Sequence, residues 1–355
     1  MIEIDGSFGE GGGQILRYAL AISAIIGEKV RITNIRARRD NPGLQRQHLT
    51  AVNAITLVTR GYVEGNELGS TELIFEPRGV YGGDYTFDIG TAGSVTLVLQ
   101  SLLPVLAFAD KPSRIRIRGG TDVPWSPTFD YFNNVFIEIL RRLGYNVSLR
   151  LIRRGHYPRG GGEVLVEIKN CPRGFESIQL AERGKLIEIR GNSHAVKLPR
   201  HVAERQAQAA SERLRSLGID VPININIESY PLDKDPHLGP GSGIALWALT
   251  EKSILGSDYL GARDRRAEEV GDRAARALFE DLSTGAALDR HMSDMIIPYL
   301  LFARGVSVVT GSMLTLHAYT VIEISKKILP ELRVEYDGSL NKPFKLIVRG
   351  VGGII

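Results

Sequence analysis

The sequence predicts an α/β (α+β) protein: a large domain of repeated α/β units that carries a small inserted α/β domain. Three observations predict it. A unit of glycine turn, apolar helix and β-rich strand recurs along the chain, is missing from about 183 to 283, and returns near Met313. The length agrees, because 355 residues exceed what one small core organises. The expected boundaries are 1–182 and 284–355 for the large domain and 183–283 for the insert.

Met1–Asp5 reads as an opening strand. Four helix–strand pairs follow the repeat: Gln14–Ile26 with Lys29–Ile35, Ser94–Ala109 with Ser113–Arg118, Phe129–Leu143 with Tyr145–Ile152, and Leu316–Ile328 with Glu331–Tyr336. Residue identity between them is low, so the repeat is structural rather than literal. In the middle region, Lys185–Arg190 is strand-like and Pro199–Leu217 is a charged amphipathic helix with proline at its start. Ile223–Ser229 alternates like a half-exposed strand, Gly243–Lys252 adds another, and Arg263–Leu282 is a surface helix. Pro231–Gly243 is a loop within the insert.

Hydrophobic residues at 43%, charged residues at 24% and a net charge of +4 exclude a polycation and a disordered chain. The arginines are nevertheless clustered, at Arg36, Arg38, Arg39 and Arg46 and again at Arg150, Arg153, Arg154 and Arg159. Arginine without interleaved lysine suits planar, bidentate phosphate contacts, so an anionic ligand is expected and nucleic acid fits. The single cysteine, Cys171, excludes an intramolecular disulfide and a Cys-based zinc motif. No basic-then-apolar leader opens the chain, which places the expected protein in the cytoplasm. The uncharged run Ile89–Ala109 is long enough to cross a bilayer, but its glycines, serines, threonines and proline make it a buried core helix, with no membrane expected.

Two glycine loops concentrate the chemistry. Arg154-Gly155-His156-Tyr157-Pro158-Arg159-Gly160-Gly161-Gly162 sets a triple glycine beside proline and arginine, which suits a sharp turn or a close backbone approach. Gly9-Glu10-Gly11-Gly12-Gly13-Gln14 opens a helix, where free N–H groups and the helix dipole favour an anion. Both loops, with their arginines, point to phosphate chemistry. Glu10 is either a carboxylate bridged to phosphate by a divalent metal or an acid favoured by the dipole. The Walker A pattern is absent. No histidines pair at metal-ligand spacing, so a histidine cage is not expected. Taken alone, His317 reads as a hydrogen-bonded core residue, and His291 with Asp294 as a surface ion pair on one helical turn.

Together these segments resemble the RNA 3'-terminal phosphate cyclase family over essentially the full length. The family's glycine signature stands here as Arg154-Gly155-His156-Tyr157-Pro158-Arg159-Gly160-Gly161-Gly162-Glu163-Val164. Asp5-Gly6, Gly9–Leu16, Pro42-Gly43-Leu44, Gln47–Ala51, Asp88–Leu99 and Gly119-Gly120-Thr121-Asp122 are similar to family segments in the same order. The resemblance implies ATP-dependent closure of an RNA 3'-phosphate end to a 2',3'-cyclic phosphodiester, through a histidine–AMP adduct and an RNA-pp-A anhydride.

It implies His317 as the adenylated nucleophile, Arg17, Arg36 and Arg39 as phosphate ligands, and Glu10 as a ligand for Mg2+ or Mn2+. By the same resemblance, Gln47 and Gln100 lie near the RNA end and the nucleotide. Pro127, Tyr131 and the segment His291, Met292, Ser293, Asp294 and Met295 flank the adenosine. His291 and Met295 depart from the tyrosine and glutamine of the best-known bacterial pattern, which bears on base selectivity. The implied partners are ATP and RNA with a 3'-phosphate end, and a homodimer is compatible. The implied fold is similar to enolpyruvyl transferases and the C-terminal domain of initiation factor three, with a thioredoxin-like insert. A catalytically inactive scaffold relative is the alternative. Hydride transfer and lysyl nucleotidyl transfer lack their motifs.

Overall fold

The recurring unit is a βαβαββ module, and it occurs three times in the computed structural model, which describes residues 1–353. In the first unit, Ile2–Asp5 and Val30–Thr33 pair in parallel across helix α1 (Gly13–Ile26). Helix α2 (Arg46–Thr59) leads to Tyr62–Glu64, and Leu73–Glu76 slots antiparallel between that strand and Val30–Thr33. The second unit repeats this order with Asp84–Asp88, α3 (Val95–Leu106), Ser113–Gly119, the helical segment 129–142, Val147–Arg153 and Gly162–Ile168. The third uses Gln179–Leu180, the short helices Met292–Met295 and Ile297–Leu301, Val306–Gly311, the helix Leu316–Ile328, Arg333–Asp337 and Phe344–Arg349. Residues alternate buried and exposed along Ser113–Gly119, the period of a sheet covered on one face.

Between the first two strands of the third unit lies a separate sheet. Leu186–Val196 and Ile223–Ser229 are parallel across the helix His201–Ser216; Gly241–Thr250 and Ile254–Leu260 complete it antiparallel, and Ala267–Ser283 covers it. This βαβ–ββα order is that of a thioredoxin-like module, and it has its own apolar cluster around Ile189, Leu246, Leu255, Val270 and Leu278. The strand Ile254–Leu260 escaped the sequence reading, and Leu186–Val196 runs further than the expected Lys185–Arg190. The helix expected over 129–143 contains a π turn at Phe132–Phe136.

Helix α1 is buried on nearly every side because α2, α3 and Leu316–Ile328 pack around it. Each buried leucine or isoleucine there contributes about 1.5–3 kcal/mol, so the helix is a rigid platform for polar side chains at its N-terminus. It ends at Gly27 in the left-handed conformation, whose N–H bonds Ser23 O. The apolar run 89–109 becomes a loop and the buried α3, capped by Ser94 Oγ accepting from Leu97 N at 3.2 Å. Among the described residues, no helix is long and apolar enough to cross a membrane.

Candidate functional site

A cavity of about 870 Å³ opens where the N-termini of α1, α2, α3 and Leu316–Ile328 converge. Glycines shape its floor. No side chain caps α1, and Gly9 and Gly11 adopt φ values of 54° and 63°, which other residues rarely take. A Cβ at Gly12 would lie 2.3 Å from Glu10 Oε2, and one at Gly13 would lie 2.2 Å from His48 Nε2. These two glycines therefore make room for a carboxylate and an imidazole. Gln14, Arg17 and Tyr18 follow on one face of α1 and line the cavity.

His317 enters from the first turn of Leu316–Ile328, a helix capped by Thr315 Oγ1 accepting from Ala318 N at 3.0 Å. Its Nδ1 is 2.5 Å from Gln14 Oε1 and 3.7 Å from Glu10 Oε2. With the amide oxygen facing the ring, Nδ1 carries the proton and donates it, leaving the Nε2 lone pair free. Burial, reinforced by the charges of Arg17, Arg39 and His291, lowers the His317 pKa to about 4. The ring is thus neutral at neutral pH. Burial and the same arginines hold His48 lower still, at about 3.

Arg39 pairs with Glu10 Oε1, while Glu10 Oε2 is buried without a partner. Arg17 Nε is likewise buried and unpartnered. Arg36 lines the cavity but also holds its own loop, donating from Nη1 to Gly43 O at 2.8 Å. Gln47 Oε1 accepts from Ser94 N at 2.9 Å, joining α2 to the start of α3, from which Gln100 reaches the cavity. Thr96 Oγ1 donates to Pro127 O at 2.9 Å and fixes the loop 124–127 over α3. Tyr131 Oη donates to Asp289 Oδ1 at 2.7 Å, and its ring meets His291 edge-on, with centroids 6.2 Å apart. Burial raises Asp294 to about 7, against the opposing pull of His291 and Arg17.

The cavity gathers Glu10, Arg17, Arg36, Arg39, Gln47, Gln100, Pro127, Tyr131, His291, Asp294, Met295 and His317. Met292 and Ser293 do not join them. Both face inward because they lie on the core side of the short helix Met292–Met295, where Met292 is part of the main apolar cluster and Ser293 Oγ bonds Asp289 O at 2.7 Å. Sequence reasoning missed Gln14, Tyr18, Trp125 and Asp258 at the site. Gln14 was legible as the residue following the triple glycine of α1. Trp125 gave a weaker signal: it is 99% exposed at the rim, in a turn where its φ is 65°.

The second arginine cluster is elsewhere, which corrects the expectation of a second phosphate loop. Residues 150–162 do not line this cavity. Arg154 is fully buried, and all three guanidinium nitrogens are taken: Nε by Glu228, Nη1 by Asp122, and Nη2 by Asp130 and Glu228. The glycines beside it permit close packing, since a Cβ at Gly155 would lie 2.4 Å from Gly119 O. The spacing argument against paired histidines is also corrected, because folding brings His156 and His194 to 3.0 Å between their Nε2 atoms.

The model of the RNA 3'-terminal phosphate cyclase family matches residues 8–333. Proteins named RNA 3'-terminal phosphate cyclase are 57% identical in Ignicoccus hospitalis over 354 residues, 55% in Hyperthermus butylicus over 353, and 50% in Methanopyrus kandleri over 354. Each alignment covers 99% of this chain and 98–99% of the relative. An EPSP synthase from Acinetobacter baumannii aligns over 98% of this chain and 64% of its own at 12% identity. Its TM-score is 0.34, so the fold rests on the strand orders above and not on that likeness. With a match this long and relatives this similar end to end, the chain belongs to the RNA 3'-terminal phosphate cyclase family.

Proposed function

We propose that this chain uses ATP to convert an RNA 3'-phosphate end to a 2',3'-cyclic phosphodiester, with His317 as the covalent nucleophile. The observation that carries the reading is the His317 imidazole, with Nδ1 held 2.5 Å from Gln14 Oε1, in a cavity walled by Arg17, Arg36 and Arg39. An unprotonated ring nitrogen is the form that attacks phosphorus. His317 Nε2 attacks the α-phosphorus, a P–N bond forms, and the bond to pyrophosphate breaks. The positive charge on the ring is met by Gln14 Oε1 and by Glu10 beyond it. A 3'-phosphate oxygen then displaces the histidine, giving RNA-pp-A. The neighbouring 2'-hydroxyl gives up its proton, attacks the 3'-phosphorus and expels AMP.

Arginines fixed before the reaction neutralise charge on the transferring group without reorganising. Arg17 lines the cavity and its Nε has no protein partner, which fits such a role. Glu10 offers one buried, unpartnered carboxylate oxygen, which fits a hard cation whose remaining ligands are phosphates and waters. Mg2+ or Mn2+ held there would neutralise triphosphate charge. Pro127, Tyr131, His291 and Met295 form an apolar and aromatic wall suited to a nucleobase.

The test uses ATP radiolabelled at the α-phosphate, with Mg2+ and separately Mn2+, followed by denaturing electrophoresis. Acid-labile label on the wild type, absent from His317→Ala and chased off by 3'-phosphorylated RNA, is the expected result. Label that survives in a folded His317→Ala variant overturns the assignment. No label on folded wild type favours a scaffold role.

A further inference from the structure

We propose that Asp122, His156 and His194 form a binding site for a divalent transition metal of the zinc class, separate from the nucleotide cavity. The three residues are buried, and ligand atoms from all three lie within 4.8 Å of one another. They come from three segments: the turn after Ser113–Gly119, the triple-glycine loop, and the strand Leu186–Val196 of the inserted sheet. None of them lines the cavity around His317.

Donor geometry favours this reading. The two Nε2 atoms face each other at 3.0 Å. Tetrahedral zinc with Zn–N bonds of about 2.0–2.1 Å holds two nitrogens roughly 3.3 Å apart, so the rings need part by only a few tenths of an ångström. Two imidazoles and one carboxylate oxygen suit zinc, cobalt or nickel rather than magnesium, which prefers an all-oxygen shell.

Glycines clear the space the rings occupy. A Cβ at Gly241 would lie 2.1 Å from His156 Cγ, and one at Gly243 would lie 3.1 Å from His194 Cε1. Both ring Nδ1 atoms are buried without a partner, so among the described residues the Nε2–Nε2 contact is the one side-chain hydrogen bond either ring makes. Charge points the same way. Asp122, Asp130 and Glu228 surround the single guanidinium of Arg154, leaving two negative charges uncompensated when all three acids are ionised. A divalent cation on Asp122 balances them, whereas a bare histidine–histidine hydrogen bond does not. The bound ion would clamp the inserted sheet to the triple-glycine loop.

The test strips the full-length protein with EDTA, dialyses it, and titrates it with Co2+ while recording the visible spectrum. One equivalent giving the intense bands of tetrahedral cobalt, displaced by Zn2+, is expected. His317→Ala keeps these bands. His194→Ala loses them, with affinity at least about 100-fold weaker. His156→Gln is the second variant should His194→Ala fail to fold. Wild type that takes up no tetrahedral cobalt, bands lost in His317→Ala, or bands intact in His194→Ala would each overturn the site.

Discussion

Replacing Arg154 by methionine removes the only cation from a buried cluster of three carboxylates. Its side chain is 1% exposed, and its partners Asp122, Asp130 and Glu228 are 0%, 10% and 20% exposed. Breaking a buried pair from one side leaves uncompensated charge, at a cost of about 3–5 kcal/mol. Glu228 gives a second route to the magnitude. Burial raises its pKa, but hydrogen bonds and charge from Arg154 overcome that and hold it at about 2 against 4.5, which corresponds to about 3 kcal/mol. A depressed carboxylate contributes stability that is present above pH 4.5 and lost as pH falls toward 2.

The variant should therefore be less stable at pH 7 and show a flatter loss of stability between pH 4.5 and 2. Urea unfolding followed by circular dichroism, in EDTA so that no metal contributes, measures both. Lysine does not rescue it, because a point charge cannot serve three carboxylates at once. RNA affinity of the folded fraction should be unchanged, since Arg154 has no free donor. A loss below about 1 kcal/mol, or weaker RNA binding at unchanged stability, would refute the account.

Two further outcomes follow from the cavity around His317. Gly12→Ala places a methyl 2.3 Å from Glu10 Oε2 and 2.6 Å from Arg39 Nη2 while φ is an ordinary −107°. It should leave the urea midpoint nearly unchanged and slow adenylylation by roughly 100-fold, the scale of an ångström misplacement. His48 is buried and stays neutral to about pH 3, whereas the unfolded ring takes a proton near 6.5. Stability must then fall as pH drops from 6.5 toward 3, by up to about 1.4 kcal/mol per pH unit for this residue. His48→Gln should reduce that slope by about one proton, read from urea midpoints at pH 6, 5 and 4.

What was legible in the sequence was local. The glycine turn before α1 and the arginines around Arg39 each announce a helix N-terminus or its ligand chemistry over a few residues. The folded helices carry those ends to one cavity. The recurring helix–strand pair was legible for the same reason, since periodicity and turn residues are short-range signals, whereas the pairing into βαβαββ modules was not. Resemblance selects Met292 and Ser293 as part of a segment, whereas on a helix of four residues their side chains turn to the core.

The triple-glycine loop shows where such reading stops. Its composition matches a phosphate cradle, yet the discriminating facts lie far away in sequence: Glu228 is 74 residues from Arg154, and His194 is 38 from His156. Glycine density reports only that something approaches the backbone closely. Here the approaching group is protein, namely Gly119 O against Gly155 and Leu238 against Gly161. At Gly12 and Gly13 the approaching groups are a carboxylate and an imidazole that border open volume. The same residue type thus marks a domain joint in one loop and an open, polar-lined cavity in the other, and the neighbour in space decides which.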